Sequence, residues 1–176
     1  MDKNQLLLGV LSDNHGENYQ VIEETLCDCD AILHAGDVGK IEILRSLNSL
    51  SIPLYVATGN NDNASVCKLS KKYKMLTFDI GLRVLLTHNP GAYSPYILDD
   101  PPNRILDKIN EFKPHIFVFG HWHVRYAEYH NGIFCFNPGS VTKKYSRDGR
   151  PGFAKILVRK ESANGKFTFV KEYFNL

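Results

Sequence analysis

Through the first third of the chain, short apolar runs alternate with stretches in which apolar side chains recur at helical spacing. Residues 5–11 read as a strand and 18–27 as a helix. Residues 31–34 read as a second strand and 40–49 as a helix with Ile41, Leu44 and Leu47 on one face, and 54–57 as a third strand. This alternation predicts βαβ units and a largely parallel sheet. A further helix is predicted over 62–73, with Asp62 or Asn63 as its cap.

From Met75 the pattern changes to hairpins. Strands 75–79 and 82–87 flank Ile80-Gly81, and strands 124–130 and 133–136 flank Asn131-Gly132, a pair suited to a type I′ turn. Between them lie a proline-punctuated loop over 90–99 and a helix over 101–112, with Asp100 as N-cap and Pro101 as first helical residue. Residues 115–119 read as another buried strand, and 153–160 with 166–174 as a final hairpin. No repeat, low-complexity segment or linker interrupts residues 1–176, so the expected fold is a single α/β domain, two sheets forming one sandwich with helices outside.

Composition narrows the class without naming a function. Of 176 residues, 43% are hydrophobic and 23% charged, proportions that argue against intrinsic disorder, collagen-like repeats or a disulfide-dense scaffold. With 21 Lys+Arg against 19 Asp+Glu, the chain carries no strong nucleic-acid signal. The total conceals an asymmetry: residues through Thr142 hold 12 basic against 16 acidic side chains, and the 34 that follow hold 9 against 3. The apolar run from Leu6 to Leu11 is too short for a signal core or a membrane span. Cys27, Cys29, Cys67 and Cys135 contain no C-x-x-C pair and read as reduced, mostly buried thiols of a cytoplasmic protein with no membrane partner.

The strands end in polar clusters that a plain core would not need. These are Ser12-Asp13-Asn14-His15-Gly16, His34-Ala35-Gly36-Asp37, Gly59-Asn60-Asn61-Asp62, Thr87-His88-Asn89 and Gly120-His121-Trp122-His123. Ligand sites in α/β sheets lie beyond the carboxyl ends of the strands, so the five clusters can converge on one crevice. Carboxylates and imidazoles with an amide oxygen, and no thiolate, suit Mn, Fe, Zn or Ni rather than an iron–sulfur cluster or an all-oxygen calcium cage. One residue separates Asp13 from His15 and His121 from His123, so an extended or tightly turning backbone can aim each pair the same way.

With these motifs the sequence resembles the calcineurin-like metallophosphoesterase superfamily, and within it the small single-domain bacterial and archaeal phosphodiesterases. The superfamily's D-x-H corresponds to Asp13 and His15, its G-D to Asp37, its G-N-x-D supplies Asn60, its lone His is His88, and its G-H-x-H is His121 and His123; Asn137-Pro138-Gly139-Ser140 is typical of the small subgroup. The resemblance implies a four-layer αββα sandwich of two mixed β-sheets flanked by helices. It also implies two divalent metal ions, Mn2+ first and Fe, Zn or Ni as alternatives. Asp13, His15, Asp37 and His123 would hold one, and Asp37, Asn60, His88 and His121 the other, with Asp37 bridging and Asp37, Asn60 and His88 assigned to catalysis. Two cations about 3.5–4 Å apart activate a shared water for in-line attack on phosphorus and offset charge on the phosphoryl oxygens. No covalent nucleophile is needed, in keeping with the lack of a G-x-S-x-G elbow.

The chain departs from the commonest pattern at Asn61, where many members carry His. An amide donates a hydrogen bond but cannot act as a general acid, which favours diester or activated-ester substrates. Asn89 after His88 and Trp122 inside G-H-x-H alter the rim and leave the ligand set intact. The run 143–150 carries four cations and one acid just after Asn137-Pro138-Gly139-Ser140, so Lys143 and Arg147 join Asn60 and Asn61 as substrate-binding candidates. His34 reads as core or as support behind the ligands, His115 and His130 as surface residues, and Trp122 as packing or as a stacking surface for a substrate base. The loop 90–102, with Tyr93, Tyr96, Asp99 and Asp100, could cover the site or form a subunit contact.

The expected function is hydrolysis of a small or nucleotide-like phosphate ester, a diester above all. The rival is a non-catalytic scaffold on the same fold, as in the small retromer subunit, which resembles this family with several ligands lost; here all seven positions retain competent residues. A nucleic-acid-processing nuclease would call for extra domains or a long basic groove. Only the family analogy speaks for a homodimer.

Overall fold

Strand β1 (Gln5–Leu11) points Leu8 and Val10 to one face and Leu11 to the other, and every one of these side chains is buried. A strand apolar on both faces needs a layer on each side. The computed structural model describes residues 4–91, 104–161 and 164–176. In chain order its elements are β1, α1 (Gln20–Leu26), β2 (Ala31–His34), α2 (Ile41–Asn48), β3 (Leu54–Val56), α3 (Ala64–Cys67), β4 (Tyr73–Thr77), β5 (Arg83–Thr87), α4 (Arg104–Phe112), β6 (Ile116–Val118), β7 (Arg125–His130), β8 (Ile133–Pro138), β9 (Gly152–Lys160) and β10 (Phe167–Asn175).

Two five-stranded mixed sheets result, ordered β10-β9-β1-β2-β3 and β4-β5-β6-β8-β7. β1, β2 and β3 are parallel, as are β5, β6 and β8, while β9 and β10 complete the first sheet antiparallel. Between the sheets lies one core, with Leu8, Val10, Leu33, Ile156 and Val158 facing Val84, Leu86, Val118, Phe134 and Phe136. A second core seats Ile22, Leu26, Leu44 and Leu47 of α1 and α2 on Leu11, Ile32 and Phe153. A third seats Ile105 and Ile109 of α4 on Leu85, Phe117 and Cys135. The layers are helix, sheet, sheet, helix, as expected. The parallel strands of both sheets direct their carboxyl ends to the same edge of the sandwich, where the polar clusters follow them.

Most strands fall within a residue or two of their predicted bounds, and the Asn131-Gly132 turn has φ of +50° and +80° between paired His130 and Ile133. The helix predicted over 62–73 is a correction. Asn63 Oδ1 caps it by accepting from Ser65 N and Val66 N, but only Ala64–Cys67 is helical. Lys68, Lys71 and Lys72 would crowd one face at i, i+3 and i+4, and Val66 alone of this helix is buried. The chain instead bridges Lys71 to Ala57 and enters β4 two residues before the expected start. The expectation of mostly buried thiols holds for Cys29 and Cys135, whereas Cys27 and Cys67 are exposed; all four are free. The proposed caps Asp100 and Pro101, and Tyr93, Tyr96 and Asp99, lie outside the described residues. No described helix is long and apolar enough to cross a membrane.

Candidate metal centre

Eight non-glycine residues among those described adopt left-handed backbone, and five of them stand in the predicted ligand motifs: Asp13 (φ 57°), His15 (48°), Asp37 (53°), His121 (68°) and His123 (58°). Such conformations cost about 1–3 kcal/mol each and persist only where the surroundings over-determine them. Here backbone hydrogen bonds between neighbouring loops do so. Asp13 N donates to Gly36 O (3.0 Å), His15 N to Asp37 O (2.9 Å), Gly120 N to His88 O (3.0 Å) and Arg147 N to His123 O (3.0 Å). Two glycines let these loops touch. A Cβ on Gly59 would lie 2.1 Å from Asp37 N and Oδ1, and one on Gly120 would lie 2.0 Å from Ser12 Oγ and 2.8 Å from Asp13 Oδ2.

Side chains from five loops meet in this crevice. One ligand atom each from Asp13, His15, Asp37 and His123 lies within 4.8 Å of the others, a group that could hold a metal ion. His15 Nε2 is 3.2 Å from His123 Nε2, and His123 Nε2 is 3.0 Å from Asp13 Oδ1. Beside them, His88 Nε2 is 3.0 Å from Asn60 Oδ1 and 3.3 Å from His121 Nδ1. Asp37 Oδ2 joins the two groups, 3.9 Å from His15 Nε2 and 3.4 Å from His88 Nε2.

Asp13 and His88 are each tied back at one atom and left open at another. Asp13 Oδ2 accepts from Ser12 Oγ (2.6 Å) and His121 N (3.1 Å), while its buried Oδ1 accepts no hydrogen bond. His88 Nδ1 is 2.8 Å from Ala35 O, so it donates there and the Nε2 lone pair faces the crevice. An orphaned carboxylate oxygen beside two imidazole nitrogens 3.2 Å apart is a convergence of lone pairs, and a divalent cation fits that donor set.

The electrostatics divide the imidazoles. Burial opposes charge on Asp37, yet the hydrogen bond and charge of His88 and two N–H donors of Asn61 outweigh it and hold the carboxyl well below the usual range. Burial works against a charged His88 as well, but Asp37 and Asp13 raise its pKa. Burial lowers the pKa of His15 and His121, favouring the neutral imidazoles that ligate metals.

All seven predicted ligand positions come together. Asn61 points its N–H groups at Asp37, N to Oδ1 at 2.8 Å and Nδ2 to Oδ2 at 2.6 Å. Lys143 and Arg147 are exposed on the adjoining turn. His34 is buried behind the site, its Nε2 3.0 Å from Asn14 Oδ1 and its Nδ1 accepting from Gly36 N. Trp122 packs edge-on against Phe119 and Tyr126. His115 is not a free surface residue: its Nδ1 accepts from Arg83 N (3.0 Å) and its ring lies on Phe167. His130 is half-buried, with Tyr126 Oη as partner.

Sequence reasoning passed over four contributors. Ser12 braces Asp13, Asp62 takes the N–H groups of Gly39 and Gly59, Ser140 Oγ donates to Asp13 O (2.9 Å), and the Tyr145 ring lies against His15. Ser12 and Asp62 stand inside the quoted clusters, so adjacency could have marked them. Tyr145 carries no local signal.

Comparison with known proteins follows the same lines. The calcineurin-like phosphoesterase superfamily domain matches residues 6–161. A probable metallophosphoesterase of Mycoplasma genitalium is 25% identical over 86% of this chain and 87% of its own. Two solved structures share the fold: an archaeal phosphodiesterase (TM-score 0.69, 18% identity, 95% of this chain and 100% of that one) and Vacuolar Protein Sorting 29 from Cryptosporidium parvum (TM-score 0.69, 18% identity, 98% and 100%). With a matching domain over most of its length and the motifs gathered at one crevice, the chain belongs to the calcineurin-like phosphoesterase superfamily.

Proposed function

We propose that this protein is a dinuclear metal-dependent phosphoesterase, a phosphodiesterase above all, acting on a small or nucleotide-like ester. One observation carries the reading: two groups of donors share the single oxygen Asp37 Oδ2. Asp13, His15, Asp37 and His123 would hold one cation, and Asp37, Asn60, His88 and His121 the other, with Mn2+ the first candidate. When bound, such a pair supplies the Lewis acidity that activates water for attack on phosphorus and offsets charge on the phosphoryl oxygens.

The chain's own residues orient and hold. Asn61 fixes both oxygens of Asp37, and Ala35 O fixes the tautomer of His88. Asn60 and Asn61 are exposed at the mouth of the crevice, where their amides can donate to a phosphoryl oxygen. Neither amide can protonate a leaving group, which favours esters whose leaving group departs unaided. Lys143 and Arg147 add positive charge at the rim for an anionic substrate. The free thiols support a reducing, cytoplasmic setting.

Likeness to Vacuolar Protein Sorting 29 favours a second reading, a protein-interaction scaffold on the same fold. One assay separates the two. After chelation and return of Mn2+, hydrolysis of bis(p-nitrophenyl) phosphate is expected to exceed that of p-nitrophenyl phosphate; folded protein that turns over neither ester overturns the enzyme reading. Asp37→Asn is expected to lose about 100-fold or more in kcat/KM, while His115→Ala retains activity. Equal rates in the two variants would remove the bridging role of Asp37.

A further inference from the structure

Tyr145 stands outside every motif that carries the ligand set, yet its ring centroid lies 4.3 Å from that of His15 and 5.8 Å from that of His123, tilted by 51° and 50°. The two imidazoles meet edge-on at 5.1 Å, so the three rings touch in a triangle. The turn bearing Tyr145 is anchored on both sides. Tyr145 N and Ser146 N donate to the carbonyl of buried Thr142, and Arg147 N donates to His123 O. Asp148 accepts from Ser146 Oγ, Arg150 N and Arg125 N. The backbone of Tyr145 therefore cannot move away without dragging the loop that carries His123.

The neighbouring imidazoles are treated differently. His88 and His121 contact each other at 5.1 Å, and among the described residues no tyrosine, tryptophan or phenylalanine ring lies on either. The donor sets differ as well: Asp13 and Asp37 bring two carboxylates to the first group, whereas the second has Asp37 and the neutral amide of Asn60. Ligand charge and rigidity are the quantities that tune cation affinity.

We infer that Tyr145 is a positioning residue that makes the two metal positions unequal, holding His15 and His123 in register so that their position binds the tighter and slower-exchanging ion. This rests on the two-metal reading above. An aromatic wall restricts the rotation of two partly exposed imidazoles, so less freedom is lost when they ligate. Its contribution comes from the ring and not from the hydroxyl, because the contacts are ring to ring.

The test is calorimetric titration of chelator-stripped protein with Mn2+, with Co2+ absorption as a second, spectroscopic readout. Wild-type protein is expected to bind in two steps. Tyr145→Ala is expected to weaken the tighter step about 10–100-fold and to leave the weaker within about twofold, while Tyr145→Phe matches wild type in both and restores the Co2+ spectrum. An alanine variant with both steps unchanged, or both weakened alike, overturns the inference, as does a phenylalanine variant that behaves like alanine. Wild-type protein that binds no ion, or only one, overturns the two-metal reading itself.

Discussion

A carboxylate that is to hold a cation has to be kept from turning to the protein's own donors, and at Asp13 the two oxygens divide these roles. Ser12 and His121 occupy Oδ2, and Oδ1 faces the crevice. His34 shows the same economy one layer back, where both ring nitrogens serve to hold Asn14 and the Gly36 amide. Burial pushes its pKa down to about 4, against the opposing charges of Asp62 and Asp13. In the unfolded chain the imidazole takes a proton near pH 6.5. The unfolded state thus binds more protons between those values, and native stability falls as pH is lowered from about 6.5 towards 4. Urea midpoints at pH 7 and pH 5 should drop less in His34→Gln than in wild type; equal drops would exclude His34 as the source.

At the scale of elements, the strands were legible because both sheets are covered on both faces, so runs such as Val84 to Leu86 and Ile116 to Phe119 are apolar without interruption. Helices α1 and α2 were legible from their one-sided apolar spacing. The stretch 62–73 misled because Val66 and Leu69 repeat at helical distance, whereas Leu69 proves exposed and β4 is decided by pairing with β5, which no local pattern records. What remains of that helix depends on its cap. Asn63→Ala removes the acceptor for two amides and should cost about 0.5–2 kcal/mol, a Tm loss of roughly 1–8 °C for a chain of this size; an unchanged Tm would mean that α3 adds nothing to stability. The ligand motifs were legible because each is local, following one strand. Tyr145 was not, since 130 positions separate it from His15.

Across the whole molecule, the crevice is assembled from both halves of the sandwich. Asp13, His15, Asp37 and Asn60 follow strands of one sheet, while His88, His121 and His123 follow strands of the other. An ion bound there would tie the sheets together and would offset the cost of five strained backbone positions. Mn2+ at about 100 times its Kd should add about 2.7 kcal/mol, raising Tm by roughly 5–10 °C; scanning calorimetry with and without Mn2+ checks this, and coincident transitions would contradict it. The basic surplus after Thr142 includes Lys143, Lys144 and Arg147 on the turn whose Arg147 N donates to His123 O, so the near-neutral total is a sum of unlike parts.

The pairing of β1 has a temporal side. Its neighbour β2 emerges soon after it, but on its other edge Gln5 pairs with Arg159, about 150 residues later. At translation rates of about 5–20 residues per second, that edge stands open for roughly 7–30 s. Ser140 and Val141, which brace Asp13 and Ser12, also arrive late. A nascent chain holding every ligand motif would therefore still lack the frame that aims them, which is complete only once residues 140–159 have emerged.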